Sequence, residues 1–205
     1  PYILPDLLSM LAEAYPDLEP RFVEEQTQHL ITRLRNGNLD LAIMALPSEA
    51  TGMVDSPLYT EKFSIVCPPD HPIAGREDVE LAELKDLDLL LLDDGHCLRD
   101  QVVDLCRHAN INPAEATNSV TRASSLTTIM QLVMGGLGCT LVPESALATE
   151  CHGKDVAIAH FASDVTAERE VGLVFRSSAA RAEEFREFGT LITSAYNKAI
   201  ERSRQ

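Results

Sequence analysis

No apolar run in this chain approaches the roughly 20 residues needed to cross a bilayer, and no charged, apolar and small-residue succession marks a secretion signal. A cytoplasmic address without a membrane partner is the expectation. Self-similarity at a period of about 20–50 residues is also missing, which argues against a repeat array. Positive charge is scarce: 17 Lys and Arg face 32 Asp and Glu, a net charge of −15. Such a surface repels nucleic-acid phosphates and anionic lipid, so this chain is not expected to bind DNA by itself.

What is present suits a globular chain. A length of 205 residues fits one large domain or two small lobes. Five cysteines are an odd number in a chain long enough to fold without staples, so any disulfide would serve as a switch rather than a scaffold. The opening segment PYILPDLLSMLAEAYPDLEP enters a helix with no strand before it and does not start with Met. That is expected of a piece excised from a longer protein.

Hydrophobic periodicity gives an α/β order. Helical spacing covers Pro5 to Tyr15, Thr27 to Asn36, Leu81 to Leu87, Leu98 to Ala109, Leu126 to Met134 and Ala179 to Arg202. Leu18 to Glu24 alternates like a strand, and Leu39 to Leu46 is a nearly continuous apolar run of the kind found in buried parallel strands. Further extended segments are expected at Leu58 to Cys67, Asp88 to Leu92, Thr117 to Val120, Gly138 to Val142, Val156 to Phe161 and Glu170 to Phe175. Two Rossmann-like lobes follow, one from residues 1–66 and 169–205 and the other from 67–168. Such lobes leave a cleft where small ligands commonly bind.

The stretch GHCLRDQVVDLC sets Cys97 and Cys106 nine residues apart at the start of an amphipathic helix. Over nine helical residues the net rotation is half a turn and the rise about 13–14 Å. A disulfide needs Cα atoms about 4.4–6.8 Å apart, so oxidation would require the helix to unwind. Helix N-terminal N–H groups favour a thiolate at Cys97, Asp93 and Asp94 oppose it, and Arg99, His96 or a distant arginine could supply a compensating cation. By spacing alone a packing role for both thiols is the plainer reading. A metal site at His96, Cys97, Cys106 and His108 matches no common zinc spacing, and neither metal nor cofactor is expected.

GHCLRDQ followed four residues later by Cys106 resembles the redox loop of peroxide-sensing LysR-type transcriptional regulators. PYILPDLLSMLAEAYPDLE, EEQTQHLITRLRNGNLDLAI and RASSLTTIMQLVMGGLGCTLVPESAL resemble the regulatory domain of that family along most of the chain. The resemblance implies a fold similar to type II periplasmic binding proteins, with the DNA-binding domain outside this chain. It implies that hydrogen peroxide oxidises Cys97 to a sulfenic acid and that Cys106 closes a reversible disulfide, resetting through glutaredoxin or thioredoxin. It further implies peroxide-binding roles for Thr27, Gly95, His96 and Arg169, a second threonine before Pro1, a homodimer or homotetramer, and contact with DNA and RNA polymerase only through the full-length protein.

Plainer roles stand beside these. Thr27 sits where a helix N-cap belongs, and Arg169 lies between Glu168 and Glu170 as in a surface ion pair. Ser124 and Ser125 are expected as caps that in LysR-type domains face the cleft, which keeps a metabolite-binding regulatory domain as the alternative function. Cys139 reads as core packing, and Cys67 and Cys151 have no assigned partner. An enzyme is not expected, because a thiol peroxidase gains nothing from a resolving thiol that melts a helix at every turnover.

Overall fold

Helical periodicity finds its buried faces in the computed structural model, which describes residues 1–112 and 117–203. The chain divides into two units, Pro1–Glu61 with Arg169–Gln205, and Lys62–Glu168. The first crossing falls between Glu61 and Lys62, earlier than the Cys67 region expected.

In the first unit, α1 (Leu4–Ala14) begins with Pro in its first turn, where the missing N–H costs nothing. It buries Leu7 and Leu11 against Ile192, Ala195 and Ala199 of α6 (Ala182–Ser203). α2 (Thr27–Arg35) packs Ile31 and Leu34 onto Ala42 and Met44 of β1 (Leu41–Ala45) and Val174 of β7 (Glu168–Arg176). β1 pairs antiparallel with β7, Leu41 opposite Phe175. This corrects the parallel expectation: the neighbour of β1 is a late strand running the opposite way. Leu18 to Glu24 forms no strand, and its Leu18, Phe22 and Val23 are exposed. Pro20 lies in the middle of that segment and has no N–H to give a ladder.

β2 (Met53–Cys67) runs from the first unit into the second. Its last residues lie between β5 (Thr140–Pro143) and β6 (Ala157–His160), antiparallel to both. β3 (Leu89–Leu92) pairs in parallel with β4 (Thr117–Ala123) and meets Cys139 through Leu89. Alternate residues Phe63, Ile65 and Cys67 of β2 join Leu89, Cys139, Leu141 and Ala159 in one buried cluster. The 3-10 helix Leu81–Asp86 and α3 (Cys97–His108) cover that cluster with Leu84, Val102, Leu105 and Cys106. α4 (Leu126–Met134), beside β3 and β5, buries Leu126, Ile129, Met130 and Val133, and α5 (Glu144–Glu150) follows β5 directly.

Candidate redox site

Three residues set the start of the helix that carries both thiols. Asp93 donates its N–H to the Ala123 carbonyl at 2.9 Å, which ties the turn to β4. Gly95 has φ +88°, a conformation that costs a residue with a Cβ about 1–2 kcal/mol. His96 is the extended N-cap at φ −86° and ψ 121°, so Cys97 takes the first helical position. The His96 carbonyl accepts the Arg99 N–H at 3.0 Å and the Asp100 N–H at 3.3 Å, while the His96 N–H points back to the Asp93 carbonyl at 3.4 Å. Cys97 is a free, half-buried thiol.

Arg99, the nearest cation by sequence, pairs with carboxylates. Its Nη2 lies 2.8 Å from Asp94 Oδ1 and its Nη1 3.7 Å from Asp100 Oδ1. Both acids are well exposed, so this network is worth at most about 1 kcal/mol. A cavity of about 10 Å³ lies by the first turn of α3, lined by Leu91, Leu98, Arg99, Val102 and Leu126. It has room for about one water, and a metabolite-sized ligand does not fit it.

The other end of α3 is built differently. Asn110 takes a left-handed φ of +57°, and its N–H bonds the Arg107 carbonyl at 2.9 Å. The Ile111 N–H bonds the Cys106 carbonyl at 2.9 Å. These are the two hydrogen bonds of a Schellman closure, with Ile111 buried as its apolar anchor. Cys106 is fully buried. Burial pushes its thiol above the ordinary cysteine range, against a smaller opposing effect of its own backbone hydrogen bond. α3 is continuous between the two cysteines, so their Cα atoms stand about 13–14 Å apart. No disulfide can close until the helix opens.

Thr27 and Arg169 belong to the first unit. Thr27 is the first residue of α2, but the N-cap is Gln26, with no side-chain capping bond. The capping role expected of the Thr27 hydroxyl is therefore not observed. Where a surface pair with Glu168 or Glu170 was expected, the Arg169 Nε and Nη2 donate to Glu61 Oε2 at 2.8 and 2.6 Å. The Glu61 side chain is 1% exposed and that of Arg169 18%. Beside this pair Tyr59 stacks on Tyr196, with ring centroids 3.8 Å apart, and the Tyr196 hydroxyl donates to the Thr60 carbonyl at 3.2 Å. Ser125 does cap α4, accepting the Thr128 N–H at 3.2 Å, and Ser124 beside it is exposed.

Sequence comparison matches residues 1–196 to the LysR substrate binding domain. A Mycobacterium avium protein named "Probable hydrogen peroxide-inducible genes activator" is 47% identical over 94% of this chain, which covers 60% of that protein. A solved Corynebacterium glutamicum OxyR cysteine-to-serine mutant, H2O2-bound, superposes with a TM-score of 0.97 at 59% identity, covering all of this chain and 63% of that one. The reduced OxyR regulatory domain from Pseudomonas aeruginosa gives 0.79 at 31% identity, over 95% of this chain and 89% of that one. The chain belongs to the LysR substrate-binding domains, in their OxyR branch. It spans about three fifths of the length of the mycobacterial relative.

The motif of this branch thus places both thiols on α3, with its Gly95 and His96 in the turn ahead of the helix. Among the described residues no group of three or more His, Cys, Asp or Glu could hold a metal ion. No helix among them is long and apolar enough to cross a membrane. Glu61 is the residue that sequence reasoning passed over. Its place two residues before Phe63, on the same strand face as Phe63, Ile65 and Cys67, was the available signal, because a carboxylate on the buried face of a strand needs a cationic partner.

Proposed function

We propose that this LysR-type domain is the peroxide-sensing regulatory part of a transcriptional regulator, with Cys97 oxidised first and Cys106 resolving it. The Cys97 thiolate attacks one oxygen of hydrogen peroxide. The O–O bond breaks, Cys97 becomes a sulfenic acid, and the departing hydroxide takes up a proton to become water. The Cys106 thiol then attacks the sulfenic sulfur, the S–S bond forms and a second water leaves.

The observation that carries this reading is the placement of one half-buried and one buried thiol along one continuous helix. Closing the disulfide must melt that helix, and local refolding is how a chemical event becomes a change of shape. The hydrogen peroxide bound to the solved Corynebacterium glutamicum relative supports the same ligand here. Hydroxide leaves poorly unless hydrogen bonds meet its developing charge. The Thr27 hydroxyl, the Arg169 guanidinium and the backbone N–H groups of Gly95 and His96 are the donors proposed for it.

In this reading the refolding alters a homodimer or homotetramer in the cytoplasm, and DNA and RNA polymerase are met through parts of the regulator outside this chain. Glutaredoxin or thioredoxin returns the thiols. The domain is a sensor and does not turn over as an enzyme.

The deciding experiment treats the reduced domain with a small molar excess of hydrogen peroxide and maps the product by peptide mass spectrometry. A Cys97–Cys106 linkage lost on reduction is expected. Two persistent free thiols would instead favour a metabolite-binding LysR-type domain. Thr27→Val and Arg169→Ala are expected to slow Cys97 oxidation without unfolding the domain, and unchanged rates in both would remove these residues from the mechanism.

A further inference from the structure

Two more thiols face each other across β2 and the segment entering β5. The register of these strands sets Ser64 opposite Val142, Ile65 opposite Leu141 and Val66 opposite Thr140. The next residues along the two chains are Cys67 and Cys139. Cys139 uses both backbone groups on its other side, its N–H on the Asp88 carbonyl at 2.9 Å and its carbonyl on the Leu90 N–H at 2.8 Å. Cys67 is registered with Ala157 of β6 on its own far side. Between them the pair is of the non-hydrogen-bonded kind, in which facing Cα atoms stand about 4.5 Å apart with side chains on one face. That lies within the roughly 4.4–6.8 Å range of disulfides. Gly138 makes the approach to β3 feasible, since a β-carbon there would collide with the Asp88 carbonyl oxygen.

Both thiols are buried and free. The Cys67 Sγ donates to the Ala157 carbonyl at 3.7 Å, and a change of rotamer redirects it toward Cys139. Burial pushes Cys67 upward and Cys139 up to about 12, so both stay protonated and unreactive while covered. α3 forms part of the cover: Cys67 and Cys139 share a buried cluster with its Val102, Leu105 and Cys106 and with Leu84 of the 3-10 helix.

We propose that Cys67 and Cys139 form a second disulfide, closed off by α3 and opened when Cys106 leaves the core to join Cys97. The trigger rests on the peroxide-sensing reading above; the pairing rests on strand register alone. The oxidant is a further hydrogen peroxide. One thiol sulfur is oxidised to sulfenic acid as the O–O bond breaks and water leaves, then the other thiol displaces a second water as the S–S bond forms. A disulfide suits this site because it is neutral and needs nothing beyond the two sulfurs, whereas a metal held by two thiolates needs further donors, and among the described residues no group of three or more His, Cys, Asp or Glu supplies them.

The test is a titration of the reduced domain with one to twenty molar equivalents of hydrogen peroxide, with alkylation after denaturation and mapping of linked peptides. The expected result is a Cys67–Cys139 linkage that follows the Cys97–Cys106 linkage and is absent in Cys97→Ser, while Cys151 stays alkylatable. Free Cys67 and Cys139 beside a complete Cys97–Cys106 disulfide would overturn the proposal, as would equally fast linkage in Cys97→Ser. If Cys97 and Cys106 never join, the sensing reading fails by itself. Diamide added to the domain in sub-denaturing urea then decides the pairing: a Cys67–Cys139 linkage sustains it and two free thiols end it.

Discussion

The two ends of α3 hold their cysteines in opposite ways. At the Cys97 end, a glycine turn, exposed ion pairs and a water-sized cavity leave a half-buried thiol on a lightly fastened first turn. At the Cys106 end, a Schellman closure whose hydrogen bond uses the Cys106 carbonyl itself, together with buried Ile111 and Leu105, locks the second thiol in the core. In the proposed reading the difference separates two jobs within one helix. The outer thiol can meet a small oxidant without any change of fold, but the inner one can answer only by giving up the structure that holds it. The same contrast recurs in two arginines: Arg99 pairs with exposed acids, and Arg169 with a carboxylate that is 1% exposed.

The strongest way to break the comparison is to remove each thiol in turn. Cys97→Ser should abolish both sulfenic acid and the Cys97–Cys106 linkage. Cys106→Ser should leave Cys97 reactive but stop it at the sulfenic or overoxidised form, detected by dimedone labelling and intact mass. A clean intramolecular disulfide in Cys106→Ser would show that the inner thiol is not the resolving one. Next in size is Glu61→Ala, which leaves the Arg169 charge without its buried partner. A loss of about 3–5 kcal/mol is expected in urea unfolding, and a loss below about 1 kcal/mol would place this pair with the surface kind.

A smaller change acts on the inner lock alone. Asn110→Val puts a β-branched side chain at φ +57°, at a cost of about 1–2 kcal/mol. If release starts at the Cys106 end, the Cys97 sulfenic acid should disappear roughly 5–30 times faster in that variant. An unchanged lifetime would mean that unwinding begins at the Cys97 end.

Alkaline pH reads the same burial through stability. The folded state holds Cys139 up to about 12 and Cys151 up to about 11, and raises Cys67 and Cys106 as well. In each case burial is the main cause. A folded-state value above the unfolded one means that unfolding releases protons at high pH. The stabilisation is therefore complete below about pH 9 and declines as pH rises toward 11 and 12. Urea midpoints between pH 8 and 11, followed with thiolate absorbance, should fall in wild type and fall less in Cys139→Ala.

Local chemistry made much of α3 legible from sequence. Gly95 ahead of an amphipathic run marks a helix start, and the helix begins at Cys97, one residue before the expected Leu98. Ser125 was legible as a cap for the same local reason. What escaped notice depends on partners far along the chain. Alternation at Leu18 to Glu24 suggested a strand, but no neighbouring strand receives it and its apolar residues stay exposed. The direction of β1 was set by β7, more than a hundred residues later. Arg169 beside two glutamates suggested a surface pair, yet its guanidinium meets Glu61, which is buried and carried by β2. Cys67 and Cys139 are likewise brought together by strand register, which no spacing reveals.

Arg99→Ala is the smallest change and the finest test of the outer end. Its partners Asp94 and Asp100 are 68% and 64% exposed, so the ion pairs contribute less than about 1 kcal/mol and weaken with salt. Stability should barely move. Chemistry should move little too, because Arg99 spends its guanidinium on the two acids and the proposed peroxide donors lie elsewhere. A Cys97 oxidation rate within about threefold of wild type, measured at low and at physiological salt, is the expected outcome. A much larger, salt-sensitive loss would mean that Arg99 releases its carboxylates to serve the thiol, and the outer end would then be organised by charge more than by its turn.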